Sequence, residues 1–203
     1  MAKEKTRDVL LDAGKKLFLE RGYNNSGLEA ILQEAGVPKG SFYYFFESKE
    51  DFGLRVLDKT AEDYEADLEN YLSDLSLRPL DRLKDYFETH CDKLESKQCR
   101  NGCLVGNLSQ EMADQSELFR TRVGQIFRRR VDRYAACLKE AQDAGEISTE
   151  LDVRELAEFW LNSWQGAVLR AKTLRDIGPL KTFVKVMFNL VLCRGGVNPC
   201  ERS

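Results

Sequence analysis

The sequence predicts an all-α chain, with three short helices at its N-terminus and a longer helical body behind them. Two observations carry this. Apolar residues recur at helical spacing along nearly the whole chain, and no alternating run reads as a strand. Charged residues make up 32% against 42% hydrophobic, with few proline or glycine clusters, which favours packed helices over a sheet or a disordered chain. At 203 residues the chain has room for one or two domains.

The first helix is expected over residues 4–21, with Val9, Leu10, Ala13, Leu17 and Phe18 on one side. Gly22 suits the left-handed conformation just past a helix end. The second starts at Ser26, where Ser26-Gly27-Leu28-Glu29 has the spacing of a capping box, and it buries Leu28, Ile31 and Leu32. Ala35-Gly36-Val37 breaks it. Pro38 opens a third, short helix as its first residue, running over 39–45. Ser48, with Asp51 three residues on, caps a long fourth helix reaching toward Tyr71. Further helices are expected over 79–97, 104–113, 116–144 (stopped by Gly145) and, from the Asp152-Val153-Arg154-Glu155 box, to about 174. Gly178-Pro179 starts the last, which fades near Arg194 into a frayed tail over 195–203.

Two short helices around a glycine-centred turn describe a helix-turn-helix. The second must present a narrow N-terminus to the major groove. Here that end is Pro38-Lys39-Gly40-Ser41: a cation, a residue that lets backbone or sugar approach, and a hydroxyl. Tyr43 and Tyr44 carry phenols able to donate to phosphate, and Lys49 sits in the first turn of the next helix. Ser26, at its own helix start, is a further phosphate candidate. Phe42, Phe45 and Phe46 read as packing residues.

The run from Gly40 to Phe52, GSFYYFFESKEDF, resembles the recognition helix of the TetR family and its sequel, G-x-[LF]-Y-x-[HYF]-F-x-x-K-x-x-[LF]. The likeness covers about residues 5–55. It implies a two-fold dimer on a DNA operator, released by an effector. Tyr43, Tyr44 and Lys49 would touch phosphates, and Lys39, Gly40 and Ser41 would face bases or backbone. Gly27 departs from the threonine or β-branched residue common there, which leaves Ser26 to make that phosphate contact. Residues 1–50 would form the DNA-binding domain and 51–203 a helical effector-sensing and dimerisation domain. Leu156, Phe159, Trp160, Ser163, Trp164 and Ala167 form one apolar stripe, and Phe183, Val184, Val186, Met187, Leu190 and Val191 another. Both are more apolar than a single domain of this size can bury without a partner, so they are expected at a homodimer interface, with monomer core as the alternative.

Within residues 102–111, G-C-L-x-x-x-L-S-x-E resembles a TetR subgroup that includes sensors of electrophiles and oxidants. Cys103 would be the reactive thiol, its thiolate favoured by the exposed N–H groups of a helix start. Lys172 matches a lysine of that subgroup. Buried packing for Cys103 and a solvated surface for Lys172 remain the alternatives, and so does a small molecule that binds reversibly without modifying the protein. Cys91, Cys99, Cys137, Cys193 and Cys200 read as packing or incidental. Arg128-Arg129-Arg130 reads as a solvated helix face, with a second nucleic-acid patch as the lesser possibility.

Other classes are disfavoured. The net charge is −3, so nucleic-acid binding has to come from local placement; residues 1–46 hold seven Lys/Arg against six Asp/Glu. Nothing reads as a leader or a membrane span, and a cytoplasmic protein is expected. Neither a paired C-x-x-C nor a cofactor motif is present, so no metal or cofactor is expected. The enzyme class is poorly served. His90 beside Cys91 on a helix points a different way, and there is no H-E-x-x-H or glycine-rich phosphate loop. A helical protein-interaction adaptor without DNA binding is the remaining rival.

Overall fold

A computed structural model describes residues 2–192, and every regular element in that span is helical. In order come α1 (Ala2–Arg21), α2 (Leu28–Ala35), α3 (Lys39–Phe45), α4 (Lys49–Leu72), α5 (Pro79–Ser96), α6 (Leu104–Met112), α7 (Glu117–Asp143), α8 (Val153–Leu174) and α9 (Gly178–Val186). A π turn, Met187–Val191, continues α9. Cys193, Arg194, Cys200 and the expected tail lie outside the described residues.

Most of the expected punctuation forms. The Ser48 hydroxyl accepts from the Asp51 N–H at 3.0 Å, and the Asp51 carboxylate accepts from the Glu47 N–H at 3.2 Å. The Asp152 carboxylate accepts from the N–H groups of Arg154 and Glu155. Gly22 and Gly145 hold φ of +82° and +74° at helix ends. Two expectations are corrected. The N-cap of α2 is Gly27, not Ser26, and no side chain caps it. Pro38 is the N-cap of α3 rather than its first residue, with an extended ψ of 153°.

The chain divides into two compact units. The first joins the chain up to residue 64 with 103–126, and the second joins 65–102 with the chain from 127 onward. This differs from a cut at residue 50. The first turns of α4, all of α6 and the start of α7 pack with the N-terminal helices, for visible reasons. Phe52 of α4 meets Phe18, Phe42 and Phe46 at ring distances of 6.0, 5.2 and 4.9 Å. Phe119 of α7 lies edge-on to Tyr23 at 5.2 Å, and Arg122 pairs with Asp58 at 2.5 Å. Rings at 4.5–7 Å in tilted or edge-on geometry add to their burial energy, so this aromatic cluster is the core of the first unit.

In the second unit, Phe87 is the hub. It meets Trp160 at 5.4 Å, Trp164 at 4.8 Å and Phe183 at 5.6 Å, tying α5 to α8 and α9. Arg82 is buried with its guanidinium on the Glu140 carboxylate (2.6 Å) and the Leu72 carbonyl (2.5 Å).

Candidate nucleic-acid interface and signal site

Gly36 makes the turn between α2 and α3, with φ +66° and its N–H on the Gln33 carbonyl. α3 then packs by one face only. Phe42 and Phe46 are buried at 0% and 1% exposure. That rotation sends Lys39, Gly40, Tyr43 and Tyr44 outward, the tyrosines 57% and 63% exposed. Phe45 is half-buried, as is Ser41. A Cβ on Gly40 would meet nothing within 4 Å, so this surface is open. Five of the expected DNA-facing residues thus share the short helix or its start.

Ser26 does not join them, and its expected phosphate contact is corrected. The side chain is wholly buried, and its hydroxyl donates to the Gly22 carbonyl at 2.6 Å, locking the loop instead of facing solvent. Lys49 is half-buried. Its Nζ donates to the Tyr23 carbonyl at 2.8 Å and stands 4.4 Å from the centre of the Tyr23 ring. Burial holds the ammonium below its ordinary pKa, partly opposed by Glu111. Burial, with help from Glu50 and Glu111, pushes the Tyr23 phenol up to about 12.

Glu111 closes the G-C-L-x-x-x-L-S-x-E motif, where the sequence alone assigns it no role. Its carboxylate accepts from the backbone N–H of Tyr23 at 2.8 Å and of Asn24 at 2.7 Å. The available signal was an acidic residue eight positions after Cys103, at the far end of the same short helix.

Cys103 is the N-cap residue of α6 and is partly exposed, within the first unit. The other three described thiols are buried. Burial pushes Cys91 up to about 11 and Cys137 up to about 12, and it raises Cys99 as well. These three are held as protonated thiols, which are poor nucleophiles. Lys172 lies in the last turn of α8, in the second unit.

The two apolar stripes divide. Leu156, Trp160, Trp164 and Ala167 are buried inside the chain, as are Phe183, Val184 and Met187. Phe159, Val186 and Leu190 remain exposed, at 55%, 37% and 54%. The arginine cluster also divides. Arg129 pairs with Glu65 at 2.8 Å, and Arg130 is buried beside the Phe127 ring, so only Arg128 faces solvent unengaged by these groups. Among the described residues no cluster of His, Cys, Asp and Glu could hold a metal ion, and no helix is long and apolar enough to cross a membrane.

The comparisons with known proteins place the chain in a family. Residues 10–56 match the family model of bacterial regulatory proteins of the tetR family, and 79–187 match the tetracyclin repressor-like C-terminal domain. The HTH-type transcriptional repressor DhaR of a Mycobacterium species is 40% identical over 95% of each chain. A crystal structure of a TetR regulatory protein from Rhodobacter sphaeroides superposes with a TM-score of 0.84 at 37% identity, covering 89% of this chain and 95% of that one. The reduced form of Escherichia coli NemR superposes at 0.82 and 30% identity, covering 91% and 96%. The chain belongs to the TetR family of transcriptional regulators.

Proposed function

We propose that the chain is a homodimeric repressor that reads a palindromic operator through α3 and leaves it when an electrophile or oxidant modifies Cys103. The observation that carries the DNA half is the outward row of Lys39, Gly40, Tyr43 and Tyr44 on a helix whose other face is locked by Phe42 and Phe46. Lys39, Gly40 and Ser41 would meet base edges or the sugar, and Tyr43, Tyr44 and Lys49 the phosphates. Each phenol keeps its ring on the protein surface while its hydroxyl reaches for an oxygen. Phe159, Val186 and Leu190 supply the exposed apolar surface of α8 and α9 for the second copy. DhaR and NemR are both named repressors, which supports the negative sign of regulation.

The signal half rests on contrast among the thiols: three are buried and held protonated, and the partly exposed one begins a helix. With an α,β-unsaturated carbonyl, the Cys103 sulfur would form a bond to the β-carbon. The π pair moves to the carbonyl oxygen, and a proton from water completes the adduct. Relatedness to NemR, whose structure is of its reduced form, points the same way. One observation favours a second reading, a reversible ligand in the helical body: the buried Trp160 Nε1 has no hydrogen-bond acceptor among the described residues, and a ligand could supply one.

The test is selected-sequence binding with the purified protein, followed by titration with N-ethylmaleimide. A palindromic site bound in a salt-dependent way is expected. Cys103→Ser should bind it equally and resist release. Absence of selective duplex binding refutes the regulator reading. Equal release of Cys103→Ser and wild type refutes the thiol reading.

A further inference from the structure

Helix α6 holds Cys103 at one end and Glu111 at the other. They lie eight positions apart, about 12 Å along the helix, a distance over which a packed helix moves as one piece. Leu104, Val105, Leu108 and Met112 bury its inner face. At the far end the Glu111 carboxylate gives one oxygen to the Tyr23 N–H and the other to the Asn24 N–H, at 2.8 and 2.7 Å. These two residues belong to the loop that leads into α2.

The loop is shaped for this grip. Gly22 has φ +82°, and a Cβ there would lie 2.9 Å from one Glu111 oxygen and 3.2 Å from the other. A glycine is required twice over, by the backbone and by the approaching carboxylate. The bonds do not stop at the loop. Tyr23 returns its carbonyl to Lys49 at the start of α4, and Ser116 donates to Glu50 at 2.6 Å. Asn24 Nδ2 donates to Gln115 at 3.3 Å. The end of α6 and the turn after it therefore hold the entry to the helix-turn-helix and the base of the helix that follows it. Bonds from N–H groups to a carboxylate are short and directional, so a small displacement of α6 must drag the loop or break them.

We propose that Glu111 is the positioning residue through which the state of α6 reaches the DNA-binding helices, its carboxylate clasp holding them in the operator-competent arrangement. The inference rests on the reading that a signal acts at α6, and it gives that signal its route. An adduct at the α6 N-cap shifts the helix, Glu111 leaves the Tyr23 and Asn24 amides, and the support of Lys49 goes with them.

The test is a two-by-two cycle of wild type and Glu111→Gln, each unmodified and alkylated with N-ethylmaleimide, with peptide mapping to place the adduct on Cys103. Operator Kd is read in all four states, together with hydrogen exchange at the Tyr23 and Asn24 amides. The glutamine keeps the size, but its NH₂ cannot accept from the second amide. For unmodified Glu111→Gln, operator affinity about tenfold weaker and faster exchange at both amides are expected. Alkylation should weaken wild type by roughly 5–150-fold but Glu111→Gln by less than about threefold, because the clasp is already open. Two results overturn the proposal: wild-type affinity in unmodified Glu111→Gln, or a full additional loss on alkylating it. If alkylation leaves wild type on its operator, the Cys103 reading fails by itself, and the unmodified arm decides the clasp: a tenfold loss supports it and no loss overturns it. If Glu111→Gln melts before it can be assayed, Glu111→Asp, which keeps the charge but shortens the reach, takes its place and should show the same pattern at reduced size.

Discussion

Replacing Lys49 with methionine separates two jobs that the side chain is placed to do. Its Nζ donates to the Tyr23 carbonyl at 2.8 Å and sits over the Tyr23 ring. Only one of three N–H donors is spent there, which leaves two for a phosphate oxygen. Methionine keeps most of the packing volume and removes both interactions. Losing a partly buried charged hydrogen bond and a cation–π contact should cost about 1–2 kcal/mol of folding stability. For a chain of this size that lowers Tm by about 2–8 °C.

The phosphate job has a different signature. Each lost phosphate contact removes about 0.9 from the slope of log K against log salt, and a dimer loses two, so the slope becomes shallower by about 1.8. Between 50 and 200 mM salt this amounts to about a tenfold difference in how far wild type and variant weaken. Fluorescence anisotropy on the selected operator at four salt concentrations, beside a thermal melt, reads both quantities. Because no base is contacted, a scrambled duplex should show the same change in slope. A lower Tm with an unchanged slope would refute the phosphate assignment and leave Lys49 as a clamp on Tyr23 alone.

Three further outcomes follow from the geometry. Gly53→Ala would put a methyl 2.7 Å from the Tyr23 ring and 2.8 Å from the Phe119 ring, so the clash, about 1–3 kcal/mol, should outweigh the roughly 1 kcal/mol gained in helix propensity and lower Tm. Gly124→Ala is the counter-case: nothing lies within 4 Å, and calorimetry should find the variant more stable by up to about 1 kcal/mol. His90, its side chain 18% exposed, is held below its ordinary pKa by burial, against the opposing pull of the Tyr86 carbonyl and Asp67. The unfolded chain then takes up the proton first, so stability is intact above pH of about 6.5 and falls as the pH drops toward the lowered folded value, by at most about 1.4 kcal/mol per unit. Urea melts from pH 7.5 to 5.5 should show that slope in wild type and a flatter one in His90→Gln.

Much of the fold was legible because local chemistry and tertiary packing agree here. Ser48, Asp152, Gly22, Gly36 and Gly145 punctuate helices where their side chains or left-handed φ demand it. Ser26 misled because the cap spacing is also satisfied by a serine turned inward. The hydroxyl found the Gly22 carbonyl, and burial in the aromatic unit decided the competition. The stripe containing Phe159, Trp160, Ser163 and Trp164 misled in another way. Apolar character tells that a face is covered, not by what, and only rotation about the helix separates Trp160 at 0% exposure from Phe159 at 55%. Glu111 was marked only by its place at the far end of the Cys103 helix, since its partners are backbone amides 87 and 88 residues away.

The division of the chain bears on how little energy a switch of this kind needs. Repression fails once operator affinity drops by one or two powers of ten, a coupling of about 1–3 kcal/mol. Cys103, Glu111 and the recognition helix belong to one compact unit, 2–64 with 103–126. Two charge-assisted hydrogen bonds, each worth about 1.5–3 kcal/mol when broken, already span the required range. No large rearrangement of α3 has to be invoked. It is enough that the loop before α2 is gripped in one state and released in the other. In that case operator affinity should track amide protection at Tyr23 and Asn24 across variants more closely than it tracks global stability.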